Sequence, residues 1–114
     1  MGAYDLECRA QGELVRLRHS RCLSRLQVAD LIHRQWDLGA VSAANYILRL
    51  ETQLASTLRA NGRNSNQIDP HQHRLADYLA FLGAGRQERR EFYRIVHQLA
   101  PEFKELKSRV KPYA

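Results

Sequence analysis

LVRLRHSRCLSRLQVADLI, Leu14–Ile32, holds two helices and the turn between them. Its second half carries the clearest start signal in the chain. Ser24 can cap free backbone N–H groups, and Gln27, three residues on, can reach back to the cap. Leu23 and Val28 stand where a hydrophobic staple falls. Val28, Leu31 and Ile32 give an inner face, and this helix is expected to end near Arg34. The first half, Glu13–Arg21, puts Leu14 and Leu17 on one side and Arg16, His19 and Ser20 on the other. The same spacing runs upstream through Leu6 and Ala10, although Gly12 weakens that extension.

Downstream, Trp36–Ala40 reads as a connector with Gly39 as its breaker. A third helix is expected from Ser42 or Ala43, because Ile47, Leu50, Leu54 and Leu58 recur at spacings of three and four. It should run to about Arg59, where Asn61-Gly62 stops it, and Ala60–Gln67 reads as a polar loop. Asp69-Pro70 looks like a cap followed by a first-turn proline. It opens a fourth helix that carries Leu75, Leu79 and Leu82 inward and ends at Gly83. Gly85 precedes a fifth, with Phe92, Ile95, Val96 and Leu99. Pro101 is expected to open a short basic tail helix with Phe103, Leu106 and Val110. No segment alternates strictly, so the fold class is all-α, with five or six helices.

With 114 residues, 44% of them hydrophobic, the chain can form one compact unit with a modest core. The net charge is +6, and every basic residue except Lys104, Lys107 and Lys111 is Arg. Arg suits bidentate contacts to phosphate and guanine, while a GC-rich genome would give the same bias. Cys8 and Cys22 have no paired spacing, so neither a disulfide framework nor a structural zinc site is expected. No apolar run approaches the ~18 residues of a membrane span. Asp5 and Glu7 argue against a signal peptide, and the expected compartment is the cytoplasm.

Catalysis has little support. Cys8 with His19 or His33 lacks any flanking motif, and there is no phosphate-binding glycine loop. His71 and His73, two apart, do not share a helical face as a metal pair would. No catalytic residue, metal or cofactor is expected. Arg86, Arg89, Arg90 and Arg94, with Glu88 and Glu91 between, read either as an ordinary charged face or as a phosphate-contacting strip.

Two helices joined by a short turn make a helix-turn-helix when the first braces on phosphates and the second reads base edges. Here the pair is Ser24–Arg34 and Ala43 onward. Leu14, Leu17, Arg18, Leu23, Ser24, Val28 and Ala29 resemble the first two helices of the lambda repressor/Cro-like (XRE) family. NYILRLE, Asn45–Glu51, is similar to that family's recognition helix, and DPHQHRLADYLAFLG, Asp69–Gly83, to its fourth. The resemblance covers about residues 12–85. Cys22 stands where the family usually has Gly, Arg25 replaces its usual Gln, and two connections are longer.

The resemblance implies a lambda-repressor-like domain over residues 1–85 and a C-terminal helical extension over 86–114. It implies a sequence-specific, repressor-like regulator whose partner is double-stranded DNA. Ala44, Asn45, Tyr46 and Arg49 would face bases, Ser24, Arg25 and Gln27 would meet phosphates, and Arg18 would pair with Glu51. Phe92, Ile95, Val96, Leu99, Phe103 and Leu106 would supply the face of a homodimer, the usual answer to palindromic half-sites. Two other roles fit the family: an antitoxin that represses its own promoter and binds a toxin, and an adaptor that binds protein without DNA.

Overall fold

A computed structural model describes residues 2–61 and 72–113 and places six α-helices among them. They are α1 (Ala3–Ser20), α2 (Arg25–Ile32), α3 (Ala40–Thr52), α4 (Leu54–Asn61), α5 (His73–Phe81) and α6 (Arg86–Leu99). No strand occurs among the described residues. The Asp69-Pro70 cap, His71 and the polar loop from Gly62 lie outside them.

α1 is the longest helix and packs against α3, α4 and α6, while α2 packs on α3. It runs unbroken through Gly12, which is exposed with nothing near the position a Cβ would take. The leucine spacing therefore prevails over the glycine, whose cost in an exposed helix interior is only about 1 kcal/mol. Leu14, Ile32, Ile47, Leu50, Leu75, Leu79, Leu82 and Val96 are almost wholly buried in one core. Each such side chain contributes roughly 1.5–3 kcal/mol.

The single third helix expected up to Arg59 is divided. α3 ends at Thr52, Gln53 leaves helical geometry, and α4 begins at Leu54. The cause lies on α1. Gln11 Oε1 accepts the Leu54 N–H at 2.9 Å, and Glu7 Oε2 accepts that of Ala55 at 2.6 Å. These side chains cap a new helix start, which a spacing argument within one segment does not reveal.

Three turns share one geometry. At Cys22, Asp37 and Gly83 the backbone φ is +55°, +55° and +75°. After α1, Cys22 N–H bonds to His19 O and Leu23 N–H to Arg18 O; after α5, Gly83 and Ala84 repeat the pattern on Ala80 and Leu79. Asp37 and Leu38 do the same on Arg34 and His33. This is the Schellman motif, whose left-handed residue is usually Gly. Cys22 thus fills a left-handed position that glycine usually takes.

The tail departs from expectation. Residues 101–113 form no helix. They fold back onto α5, where the wholly buried Asp77 carboxylate accepts from Arg109 N and Arg109 Nη2, both at 2.8 Å. Tyr113 N–H bonds to Phe81 O at 2.9 Å. α5 thus supplies acceptors that a tail helix would have found in itself. The expected dimer face is corrected with it. Phe92, Ile95, Val96, Leu99 and Phe103 are buried in the chain's own core and Leu106 is half-buried, so they offer little to a second copy.

Candidate nucleic-acid interface

The candidate interface begins with the turn into α2. Ser24 Oγ accepts from Gln27 N at 3.1 Å, and Gln27 Oε1 accepts from Ser24 N at 2.7 Å, a complete capping box. Both residues are exposed. Arg25 opens α2 with its guanidinium turned back: Nε donates to Glu51 Oε1 at 2.9 Å while its side chain keeps 38% exposure. Of the three residues expected at phosphates, Arg25 is therefore already engaged.

α3 starts at Ala40, earlier than the spacing suggested, with Gly39 before it. Its inner arc holds Ala43, Ala44, Tyr46, Ile47, Leu50 and Glu51. The outer arc holds Val41, Ser42, Asn45, Leu48, Arg49 and Thr52. Asn45 and Arg49, four apart, share the outer face.

Ala44 and Tyr46 do not face outward. Ala44 is 9% and Tyr46 3% exposed. The Tyr46 ring meets Trp36 edge-on at 5.6 Å, with the Arg74 guanidinium 4.9 Å over its face and that of Arg49 at 5.6 Å. Trp36 belongs to the connector between α2 and α3. Its Nε1 donates to Asp77 Oδ2 at 3.1 Å, so the connector is anchored in the core. Tyr46 thus packs the connector against α3, and four outer residues the sequence reading left out (Val41, Ser42, Leu48 and Thr52) join Asn45 and Arg49. An earlier helix start at Gly39 was the signal that would have included Val41 and Ser42.

Behind α3 stands a buried ionic cluster. Arg18 grips Glu51 with Nε to Oε2 at 2.9 Å and Nη2 to Oε1 at 3.0 Å. Arg18 Nη1 also donates to Leu23 O at 2.9 Å, and Tyr78 Oη donates to Glu51 Oε2. Burial alone would push the Glu51 carboxyl up. Donors from Arg18, Tyr78 and Arg25 outweigh it and hold Glu51 below the ordinary carboxylate range. Burial, then the Glu51 charge, pushes the Tyr78 phenol up, so it remains a donor. The cluster ties α1, α2, α3 and α5 together and fixes the rotation of α3.

The surface of this unit is not strongly basic. Between Ser24 and Gln53 the sequence has three basic residues, Arg25, Arg34 and Arg49, and three acidic ones, Asp30, Asp37 and Glu51. Leu26, Leu31, Val41 and Leu48 are its exposed large apolar residues, at 62%, 55%, 70% and 40%. No helix among the described residues is long and apolar enough to cross a membrane. No family model, curated protein or solved structure matches the chain.

Proposed function

We propose that this chain is a sequence-specific, repressor-like DNA-binding regulator that lays α3 in the major groove. One observation supports this most. A capped α2 packs on an α3 whose outward face presents Asn45 and Arg49, with α3 locked behind by the Arg18–Glu51 pair. Asn suits adenine N6/N7 and Arg suits guanine O6/N7. Ser24 and the free amide nitrogen of Gln27 meet phosphate, and Arg25 does so by leaving Glu51 to its other donors. One such helix reads few base pairs, so the proposal includes two copies on a palindrome, joined by a surface other than the buried residues of α6.

The test is selection of bound DNA from a random pool, followed by two variants on the preferred site. Asn45→Ala should cost ~1–3 kcal/mol and relax the choice at one base. Arg25→Ala should weaken all sequences alike and lower the salt slope by about one unit. Equal, sequence-independent losses for both would remove α3 as the reader.

A second reading is a protein-binding role, as adaptor or antitoxin. The balanced charges of residues 24–53 and the exposed Leu26, Leu31, Val41 and Leu48 favour it. Failure to select DNA at low salt, together with a stable protein complex lost in Leu31→Asp, would establish it over the first.

A further inference from the structure

The basic face of α6 carries an inference that does not rest on the DNA reading. Arg86, Arg90, Tyr93 and His97 follow one another at spacings of four, three and four, and so share a face, with Arg89 beside it. They border a groove of about 430 Å³ that Glu105 of the tail also lines. Arg86, Arg89 and Arg90 are exposed and make no salt bridge or side-chain hydrogen bond among the described residues. Arg94, by contrast, is paired with Glu91 at 3.0 Å.

Tyr93 differs from its neighbours. It is 4% exposed, and its hydroxyl is buried with no hydrogen-bond partner among the described residues. Burial and then the Glu105 charge push its pKa up, against the opposing effect of Arg89, so the group is a protonated donor without an acceptor. A buried donor left so costs stability. Three unpaired guanidiniums and one deep hydroxyl are all donors, and they are spread over two turns of α6 along one groove. A tetrahedral phosphate accepts from several directions at once, whereas a carboxylate offers two oxygens in one plane.

We infer that this groove is a phosphate-binding site, with Tyr93 Oη donating from the floor and Arg86, Arg89 and Arg90 from the rim. Glu105 is exposed and sets one carboxylate against three guanidiniums, so the rim stays cationic.

The test is calorimetric titration of the full chain with pyrophosphate, at ionic strength held constant with potassium chloride. Tyr93→Phe keeps the ring and removes only the hydroxyl. Its Tm without anion should hold or rise, while its pyrophosphate affinity falls roughly tenfold. Arg89→Gln with Arg90→Gln should abolish binding. Equal affinity in the wild type and Tyr93→Phe, absence of binding in the wild type, or an equal response to acetate would each overturn the site. A short DNA duplex is then added to pyrophosphate-loaded Asn45→Ala protein. Displacement assigns the groove to backbone phosphates, and retention assigns it to a free phosphorylated molecule; both support the site. Because pyrophosphate does not need α3, this result stands apart from the success or failure of the DNA reading.

Discussion

The α2–α3 unit and the C-terminal quarter use charge in opposite ways. Residues 24–53 have as many acidic as basic side chains, and the most buried of them form one cluster around Glu51. Residues 86–113 have eight basic and four acidic side chains, and three arginines there have no ion pair among the described residues. The net charge of +6 thus says little about the α2–α3 unit, because most of it resides elsewhere. Charge in the first region holds α3 in position. Charge in the second is free to raise the local concentration of an anionic partner.

Removing one charge from each region gives the largest contrast. Glu51→Ala strands Arg18, whose side chain is 7% exposed, and should cost ~3–5 kcal/mol in denaturant unfolding. Arg90→Gln removes an exposed, unpaired charge and should stay within ~0.5 kcal/mol of the wild type. A pH series adds a direction. The Glu51 pKa is lowered on folding, so its contribution is complete above the unfolded value of about 4.3. It is lost as pH falls through the lower folded value, and Glu51→Ala should lack that part of the acid limb. Comparable losses from Glu51→Ala and Arg90→Gln would break the contrast.

A smaller effect is expected where the two regions meet. Asp77 accepts from Trp36 of the α2–α3 connector and from Arg109 of the tail. Asp77→Ala should cost about 1.5–3 kcal/mol, the range for hydrogen bonds to a charged group. It should also open the tail to protease before the core unfolds. If cleavage in the tail is no faster than in the wild type, the tail is held by Phe103 and Tyr113 without it.

The helices could be read where one segment decides its own structure. Ser24 and Gln27 are three apart in the chain, and a capping box needs nothing else. The Arg18–Glu51 contact came from likeness to a family, since nothing local links residues so far apart. What escaped the sequence was set by other segments. Gln11 and Glu7 divide α3 from α4, Asp77 draws the tail out of a helix, and Trp36 turns Tyr46 inward. The α6 stripe departs from the expected dimer face for a related reason: an apolar stripe shows that a face is buried, not by which chain.

The smallest effect concerns the turn between α1 and α2. Cys22 and Gly83 occupy the same position of the same Schellman motif, one after α1 and one after α5. Gly83 has a second reason to be Gly, since a Cβ there would lie 1.8 Å from Arg21 Nη2, which is held near Leu82 O and Tyr113 O. Cys22 is exposed and forms no disulfide, so its side chain contributes little to packing. A left-handed φ costs a residue with a Cβ about 1–2 kcal/mol. Glycine removes that cost and adds unfolded-chain freedom worth about 0.4–1 kcal/mol against it. Cys22→Gly should therefore raise stability by a net ~0.5–1 kcal/mol in denaturant unfolding. Cys22→Ala, which keeps the Cβ, should leave stability within a few tenths of the wild type. A gain in Cys22→Ala equal to that in Cys22→Gly would mean that the thiol, not the backbone, is the source of strain at this turn.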